Sequence, residues 1–339
     1  VLDARAAARP ELGGVERWAR ELAARLPALA PGRYRVARPP AAFSHRAGHL
    51  WEQVVLPARA ARERAPLLLC PANLAPLAFP RNAVVIHDAA PLREPAWYSP
   101  AYVAWQRAAL PRIARRARLV ITVSAFSRGE LAALLGLDAG RVRVVPGGVD
   151  ARFAPDADPA PARAALGLAR PYVLTVASRT ARKNLGALEE AARRLAAGGI
   201  ELVAAGGDRP QFRAGRQASA VRALGHVPDE HLPGLYAGAA AFVLPSRYEG
   251  FGLTCLEAMA CGVPVVAARA GALPETCGDA ALYGEPDDPA SFADALERAL
   301  GADGARLRAA GPARARAYGW ERTARAVDAL VAAAAGEPR

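Results

Sequence analysis

Two glutamates eight residues apart, Glu249 and Glu257, stand in the stretch PSRYEGFGLTCLEAMACGVP, residues 245–264. Between them run Gly250, Phe251, Gly252, Leu253 and Thr254. Apolar runs at 239–244 and 263–268 flank the block, so its pattern is strand, glycine-containing turn, helix, strand. In open α/β sheets ligands bind at the carboxyl ends of strands, where this turn lies. A helix starting near Gly252 leaves its first amides unpaired and its dipole favours an anion. The glycines let a phosphate approach the backbone. Glu257, five residues into the helix, stands about 7–8 Å along its axis. That spacing suits a diphosphate at the helix start, with a ribose diol held by Glu257. Glu249 is left on the loop, near whatever the diphosphate carries. The plainer alternative is a solvated loop carboxylate and a helix-surface glutamate.

The stretch ASRTARKNL (177–185) follows an apolar run and opens a second helical pattern. It contains Lys183, the only lysine in a chain that writes Arg 43 times. One lysine kept against that bias points to a need for a compact ammonium rather than a planar fork. Arg182 and Lys183 at a helix start could neutralise a diphosphate leaving group, although cations oppose the helix dipole there. In VVIHDAAPLREPAWYSP (84–100), His87 and Asp88 end an apolar strand and should project toward a ligand, Asp88 orienting His87 or an acceptor hydroxyl. The alternative is a structural histidine with its hydrogen bonds satisfied. Gly13 and Gly14 precede the helical pattern VERWARELAARL, as a turn does. Asp156-Ala157-Asp158 has a metal–nucleotide spacing but lies in a Pro-rich stretch, so it reads as loop. His226 and His231 have no cysteine or carboxylate cluster to complete a metal site.

Elements at the right intervals position these residues. The chain has 339 residues, enough for about two domains. Strand-like runs at 66–70, 83–87, 118–123 and 141–145 alternate with helical patterns at about 15–27, 50–64, 98–117 and 125–135. ARFAPDADPAPA (151–162) reads as a linker. The pattern restarts with strands at 172–178, 202–207, 240–245 and 264–268, and helices at 184–197, 229–238, 252–261 and 289–301. A helical tail runs from 320 to 334. Repeated βα units in two halves predict an α/β protein of two doubly wound, Rossmann-like domains facing a cleft. Their expected bounds are 1–150 and 151–318, with 319–339 as a final helix.

No apolar run reaches the ~18 residues of a membrane span, and no signal segment opens the chain. The four cysteines form no CxxC pair and read as reduced thiols of a cytoplasmic protein. The start, VLD without Met, suggests that a few residues are missing or were processed away. Residues 1–150 hold 22 Arg against 11 acidic residues; the remainder holds 22 basic against 21 acidic. The basic first half points to an anionic partner, either a membrane surface or a lipid diphosphate; the alternative is a compositional bias toward Arg, which does not by itself explain the asymmetry. Nucleic acid is set aside because no basic–aromatic interleaving accompanies the charge.

The block with Glu, seven residues and Glu, with FGL after the first and EAMACGVPVV around the second, resembles the donor-binding signature of the retaining glycosyltransferases of family 4. ARKN, HD, Gly13-Gly14, ITVSAFSRGEL (121–131) and WERTA (320–324) extend the likeness along nearly the whole chain. Ser178 stands where many members carry Arg, and Gly147 where Asn is usual. The resemblance implies the GT-B fold, with the acceptor in the first domain, the nucleotide sugar in the second and a final helix crossing back. It implies metal-independent transfer of a hexose with retention and needs no cofactor. GDP-mannose is the favoured donor, from the His-Asp segment, and a UDP-hexose the next. By this resemblance Arg182, Lys183 and the amides of 251–254 face the diphosphate and Glu257 the ribose. Glu249 and His87 face the donor sugar, Gly13 and Gly14 close over the phosphates, and Val227 lies by the base. The expected acceptor is a glycan or lipid-linked oligosaccharide, and the expected location is cytoplasmic, peripheral to the inner membrane face. A sugar-nucleotide epimerase or hydrolase of the same fold, and a non-catalytic nucleotide-binding protein, remain as alternatives.

Overall fold

The computed structural model describes residues 1–9, 13–40, 48–207 and 212–336. Short runs rich in Val, Leu and Ala form the strands, and the central ones, apolar on both faces, are buried between helix layers. In one sheet these are β1 (Leu2–Asp3), β2 (Val36–Ala37), β3 (Leu68–Cys70), β4 (Asn82–Val85), β5 (Leu119–Thr122) and β6 (Val142–Val144). They pair in parallel in the order β2-β1-β3-β4-β5-β6. The second sheet contains β7 (Tyr172–Val176), β8 (Glu201–Ala205), β9 (Arg222–Gly225), β10 (Ala241–Leu244), β11 (Val265–Ala268) and β12 (Ala281–Gly284). Its order is β12-β11-β10-β7-β8-β9, again with parallel pairs throughout.

Each sheet carries its own core. Trp51, Leu56, Leu68, Val84, Ile86 and Ile113 centre the first, and Tyr172, Tyr236, Phe242, Met259 and Phe292 the second. One compact unit is formed by Val1–Arg93, Pro100–Gly148 and Trp320–Arg339, the other by Glu94–Ser99 and Val149–Gly319. The assignment of Glu94–Ser99 to the second unit was not foreseen from the sequence. It follows from a backbone bond from Arg213 N–H to the Trp97 carbonyl and from the Tyr98 ring, 5.1 Å from that of Phe212. Among the described residues no helix is long and apolar enough to cross a membrane.

Several expected elements differ in detail. The helix expected over 50–64 is interrupted by a π turn, Trp51–Val55, where Glu52 turns inward to pair with Arg5 at 2.5 Å. The stretch 151–162 is not a free linker. Asp158 accepts the Ala160 amide at 2.9 Å and starts the helix Ala160–Leu166. A further helix, Gly304–Ala315, packs through Gly311, where a Cβ would stand 3.1 Å from the Met259 carbonyl oxygen. Ser124 caps the helix Ala125–Leu135 as expected, accepting from the Ser127 amide at 2.9 Å.

Candidate functional site

In the second sheet the winding reverses between β7 and β10. Loops leaving the carboxyl ends of two such strands diverge to opposite faces and open a crevice for a ligand. The loop after β7 carries Arg182 and Lys183; the loop after β10 carries Glu249. The topology therefore joins residues 66 positions apart. Lys183 Nζ lies 2.5 Å from Glu249 Oε1, and Arg182 Nη1 lies 3.2 Å from Oε2. The side chains of all three are nearly buried. Burial alone would raise the Glu249 carboxyl, but Lys183 and then Arg182 outweigh it and hold it at about 2. Burial lowers the Lys183 ammonium while Glu249 pulls it back up. The ion-pair distances favour the charged forms of both, so the cluster carries one net positive charge, with a carboxylate unable to act as an acid at neutral pH.

The backbone around the cluster is tightly held. Arg182 donates to the Tyr248 carbonyl at 2.8 Å, and its own carbonyl accepts the Arg247 amide at 2.9 Å. The Glu249 carbonyl accepts the Ala272 amide at 2.9 Å. Gly271, at φ +58, passes so close that a Cβ there would stand 2.5 Å from the Glu249 carbonyl oxygen. One expectation needs correction. Arg182 and Lys183 do not open an α-helix; they sit in a 3-10 turn, Ala181–Lys183, closed by Asn184 at φ +54. The helix itself begins at Glu189, so its dipole does not oppose them. The plainer alternative for Glu249, a solvated loop carboxylate, fails because both cations hold it.

Beside Glu249 the chain turns through Gly250, Phe251 and Gly252 into the helix Leu253–Ala260. Gly252 adopts φ +100, and a Cβ there would meet Leu273 Cδ2 at 2.6 Å, so this position needs glycine on both counts. Cys255 N–H already reaches the Gly252 carbonyl at 3.0 Å, while the amides of Leu253 and Thr254 precede the first such bond. Phe251 packs edge-on against Tyr318, with ring centroids 5.6 Å apart. Glu257 is buried and accepts the Tyr236 hydroxyl at 3.0 Å, which excludes the helix-surface reading. Val227 is buried just beyond β9, after Gly225 at φ +72.

In the first unit His87 follows β4 and is buried. Its Nε2 lies 2.9 Å from the Pro71 carbonyl, which requires the proton on Nε2 and leaves a lone pair on Nδ1. Burial lowers the imidazole, with the Pro71 contact and Asp88 opposing. Trp18 packs edge-on against the ring at 5.5 Å. Asp88 accepts the Ala90 amide at 3.1 Å and caps the next turn; of its two expected partners, His87 bonds instead to the Pro71 carbonyl. The Gly13 amide donates to Glu16 at 3.1 Å, and a side chain at Gly14 would meet no atom within 4 Å. Sequence reasoning missed a buried cluster at the carboxyl end of β1. Arg5 donates to Glu52, and the Arg5 amide to Asp3 at 3.0 Å. Burial, opposed by Arg5, pushes the Asp3 carboxyl up to about 6. The available signal was the charged pair in VLDAR directly after an apolar strand. Among the described residues no three His, Cys, Asp or Glu side chains group as metal ligands.

Residues 12–153 match the family described as Glycosyltransferase Family 4, and residues 170–302 match Glycosyl transferases group 1. An O-antigen chain mannosyltransferase B of Escherichia coli is 33% identical over 256 residues, covering 71% of this chain and 67% of the relative. The chain belongs to glycosyltransferase family 4. A second relative is the GDP-mannose-dependent alpha-(1-6)-phosphatidylinositol monomannoside mannosyltransferase of Mycolicibacterium smegmatis. It is 37% identical over 192 residues, covering 51% of this chain and 50% of that protein. The chain thus spans between half and two thirds of the length of these two relatives. Among solved structures, sucrose-phosphate synthase from Thermosynechococcus elongatus superimposes with a TM-score of 0.74 at 24% identity, covering 97% of both chains. That likeness bears on the fold, which is the family's GT-B architecture of two parallel-sheet α/β units.

Proposed function

We propose that this family 4 member transfers a hexose, with mannose favoured, from a nucleotide diphosphate sugar to a glycan or lipid-linked acceptor. The reading includes retention at the anomeric carbon and no metal. The observation that carries it is the buried Arg182–Lys183–Glu249 cluster, one positive charge in excess beside the unpaired amides at the start of the Leu253–Ala260 helix. Such a site suits a dianionic leaving group better than a neutral ligand. In the proposed step the bond from the anomeric carbon to the diphosphate breaks, and its electron pair passes to the phosphate oxygen. Lys183, Arg182 and the amides of 251–254 stabilise the charge that forms there. The acceptor oxygen bonds to the same face of the sugar, and its proton leaves with the phosphate oxygen. Glu249 holds a sugar hydroxyl through the lone pairs that the two cations leave open, and Glu257 takes the ribose diol. His87 contributes its Nδ1 lone pair at the sugar edge. No protein nucleophile is assigned.

The printed name of the Mycolicibacterium smegmatis relative supports a GDP-mannose donor, and a UDP-hexose is the next choice. The basic first half supports a peripheral location at the inner membrane face, near a lipid-linked acceptor. The test is transfer from GDP-mannose, UDP-glucose and dTDP-glucose to a lipid-linked oligosaccharide, with and without EDTA, reading the anomeric configuration by NMR. An α-linked product from an α-donor, formed equally in EDTA, is expected; a β-linked product or loss of activity in EDTA overturns those parts. Lys183→Ala should lower turnover about 100-fold, the effect of removing one preorganised charge from a leaving group. Near-parental turnover by that variant would remove the cluster from the mechanism.

A further inference from the structure

The turn that presents Arg182 and Lys183 has a second side. Behind it, wholly within the second unit, lies a recess of about 390 Å3. Its walls include Trp97, Asn184, Gly186, Arg216, Arg247 and Asp287. The volume falls within the ~300–1,000 Å3 of small-molecule sites. Four features give the recess a chemistry. Trp97 is a half-buried indole on the Glu94–Ser99 segment, fixed by its own carbonyl to the Arg213 amide at 2.9 Å. Arg216 is exposed and meets no carboxylate among the described residues. Arg247 is paired with Asp287, whose second oxygen is open to a hydroxyl. Asn184 spends its amide protons on the Pro245 and Pro286 carbonyls, at 3.2 and 2.8 Å. The amide is thereby fixed, and its oxygen stays an acceptor.

Gly186 seats the free guanidinium. A Cβ at Gly186 would stand 3.0 Å from both Arg216 Cγ and the Arg216 carbonyl oxygen, so the arginine stem lies flat on the glycine. An aromatic wall, a cation unopposed among the described residues and hydrogen-bonding groups of both kinds match a ring with an apolar face, several hydroxyls and one negative charge. We propose that this recess binds an anionic sugar, a hexose bearing phosphate or carboxylate, stacked on Trp97 with its anion on Arg216. It is separate from the residues assigned above to the nucleotide sugar, and deepens that reading by giving the protein a second sugar site. The ligand chemistry has two sources: a free sugar phosphate, or an acidic residue within a glycan.

Titration calorimetry on the intact chain tests this, with GDP at saturation so that the nucleotide site is already filled. The probes are glucose 6-phosphate, digalacturonic acid, glucose and inorganic phosphate. Saturable binding of glucose 6-phosphate or digalacturonic acid, tighter than of glucose and of phosphate, is expected; whichever is tighter identifies the source. Arg216→Ala should weaken it about tenfold, as loss of a charge-assisted contact does. Gly186→Ala, which displaces the stem but keeps the charge, should weaken it less, and Trp97→Phe should retain most of it where Trp97→Ala does not. Inorganic phosphate binding as tightly as glucose 6-phosphate, or Arg216→Ala binding like the parent, overturns the proposal. Absence of saturable sugar binding also overturns it. GDP affinity, measured first in the same samples, reports separately on the nucleotide site and should be unchanged in Arg216→Ala.

Discussion

Replacing Glu249 by Gln removes the single negative charge from a buried cluster that otherwise holds two cations, with almost no change in shape. An ordinary glutamate titrates near 4.5, whereas Glu249 is held at about 2. At about 1.4 kcal/mol per tenfold in proton affinity, the fold favours the carboxylate over its neutral form by about 3 kcal/mol. The geometry agrees in scale, since breaking a buried ion pair costs roughly 3–5 kcal/mol. The side chains are only 10–13% exposed, so water screens the interaction little. Because the folded value lies below the unfolded one, the contribution is complete above about pH 4.5 and is lost as pH falls toward 2. Glu249→Gln should therefore melt the second unit roughly 6–12 °C lower at pH 7, at about 2–4 °C per kcal/mol. The gap from the parent should close below pH 4.5. Scanning calorimetry at a series of pH values reads both. A variant melting within about 1 °C of the parent at pH 7, or a gap that does not change with pH, would refute the claim that the cations hold this carboxylate.

Glu257→Gln should weaken GDP binding about tenfold by calorimetry, and Tyr236→Phe by less, since it removes only the hydroxyl that orients the carboxylate. Unchanged affinity in both would displace the ribose from Glu257. Gly252→Ala should destabilise the second unit by roughly 2 kcal/mol or more, from the left-handed backbone and the Leu273 contact; urea unfolding near parental stability would contradict that. Burial keeps the His87 value below the usual 6.5, so the stability it contributes is present above pH 6.5 and lost as pH falls. His87→Gln should then lose less stability than the parent between pH 7 and 5, and identical pH profiles in urea titrations would argue against it.

Much of the site was legible because its signals are local. Glu249, Gly252 and Glu257 sit on one strand–turn–helix unit, and helix geometry alone spaces the second carboxylate from the first. Lys183 stood out because the chain otherwise writes Arg. The pairing of Lys183 with Glu249 was not legible, since it exists only once winding makes β7 and β10 neighbours. The cap that Asp88 forms on the Ala90 amide was not read from the sequence, although a two-residue contact is cheaper to form than one to His87. The helix Gly304–Ala315 escaped detection because it buries one large apolar residue, Leu307, and packs otherwise through small ones. Trp97 looked like part of the His-Asp segment, and nothing local announces that its six-residue stretch joins the other unit.

The division of the chain also bears on its synthesis. The first unit depends on the helix Trp320–Ala335, where Asp328 accepts from Arg33 at 2.7 Å and from Tyr34 at 2.7 Å, and Thr323 donates to the Pro146 carbonyl at 2.8 Å. Those partners are separated by about 180 to 300 positions, and the helix leaves the ribosome only after the whole second unit. The second unit, by contrast, has all its strands once Gly284 is made. The half translated first is thus completed only after the half that follows it, its basic segment waiting through synthesis of the second unit for the helix that closes it.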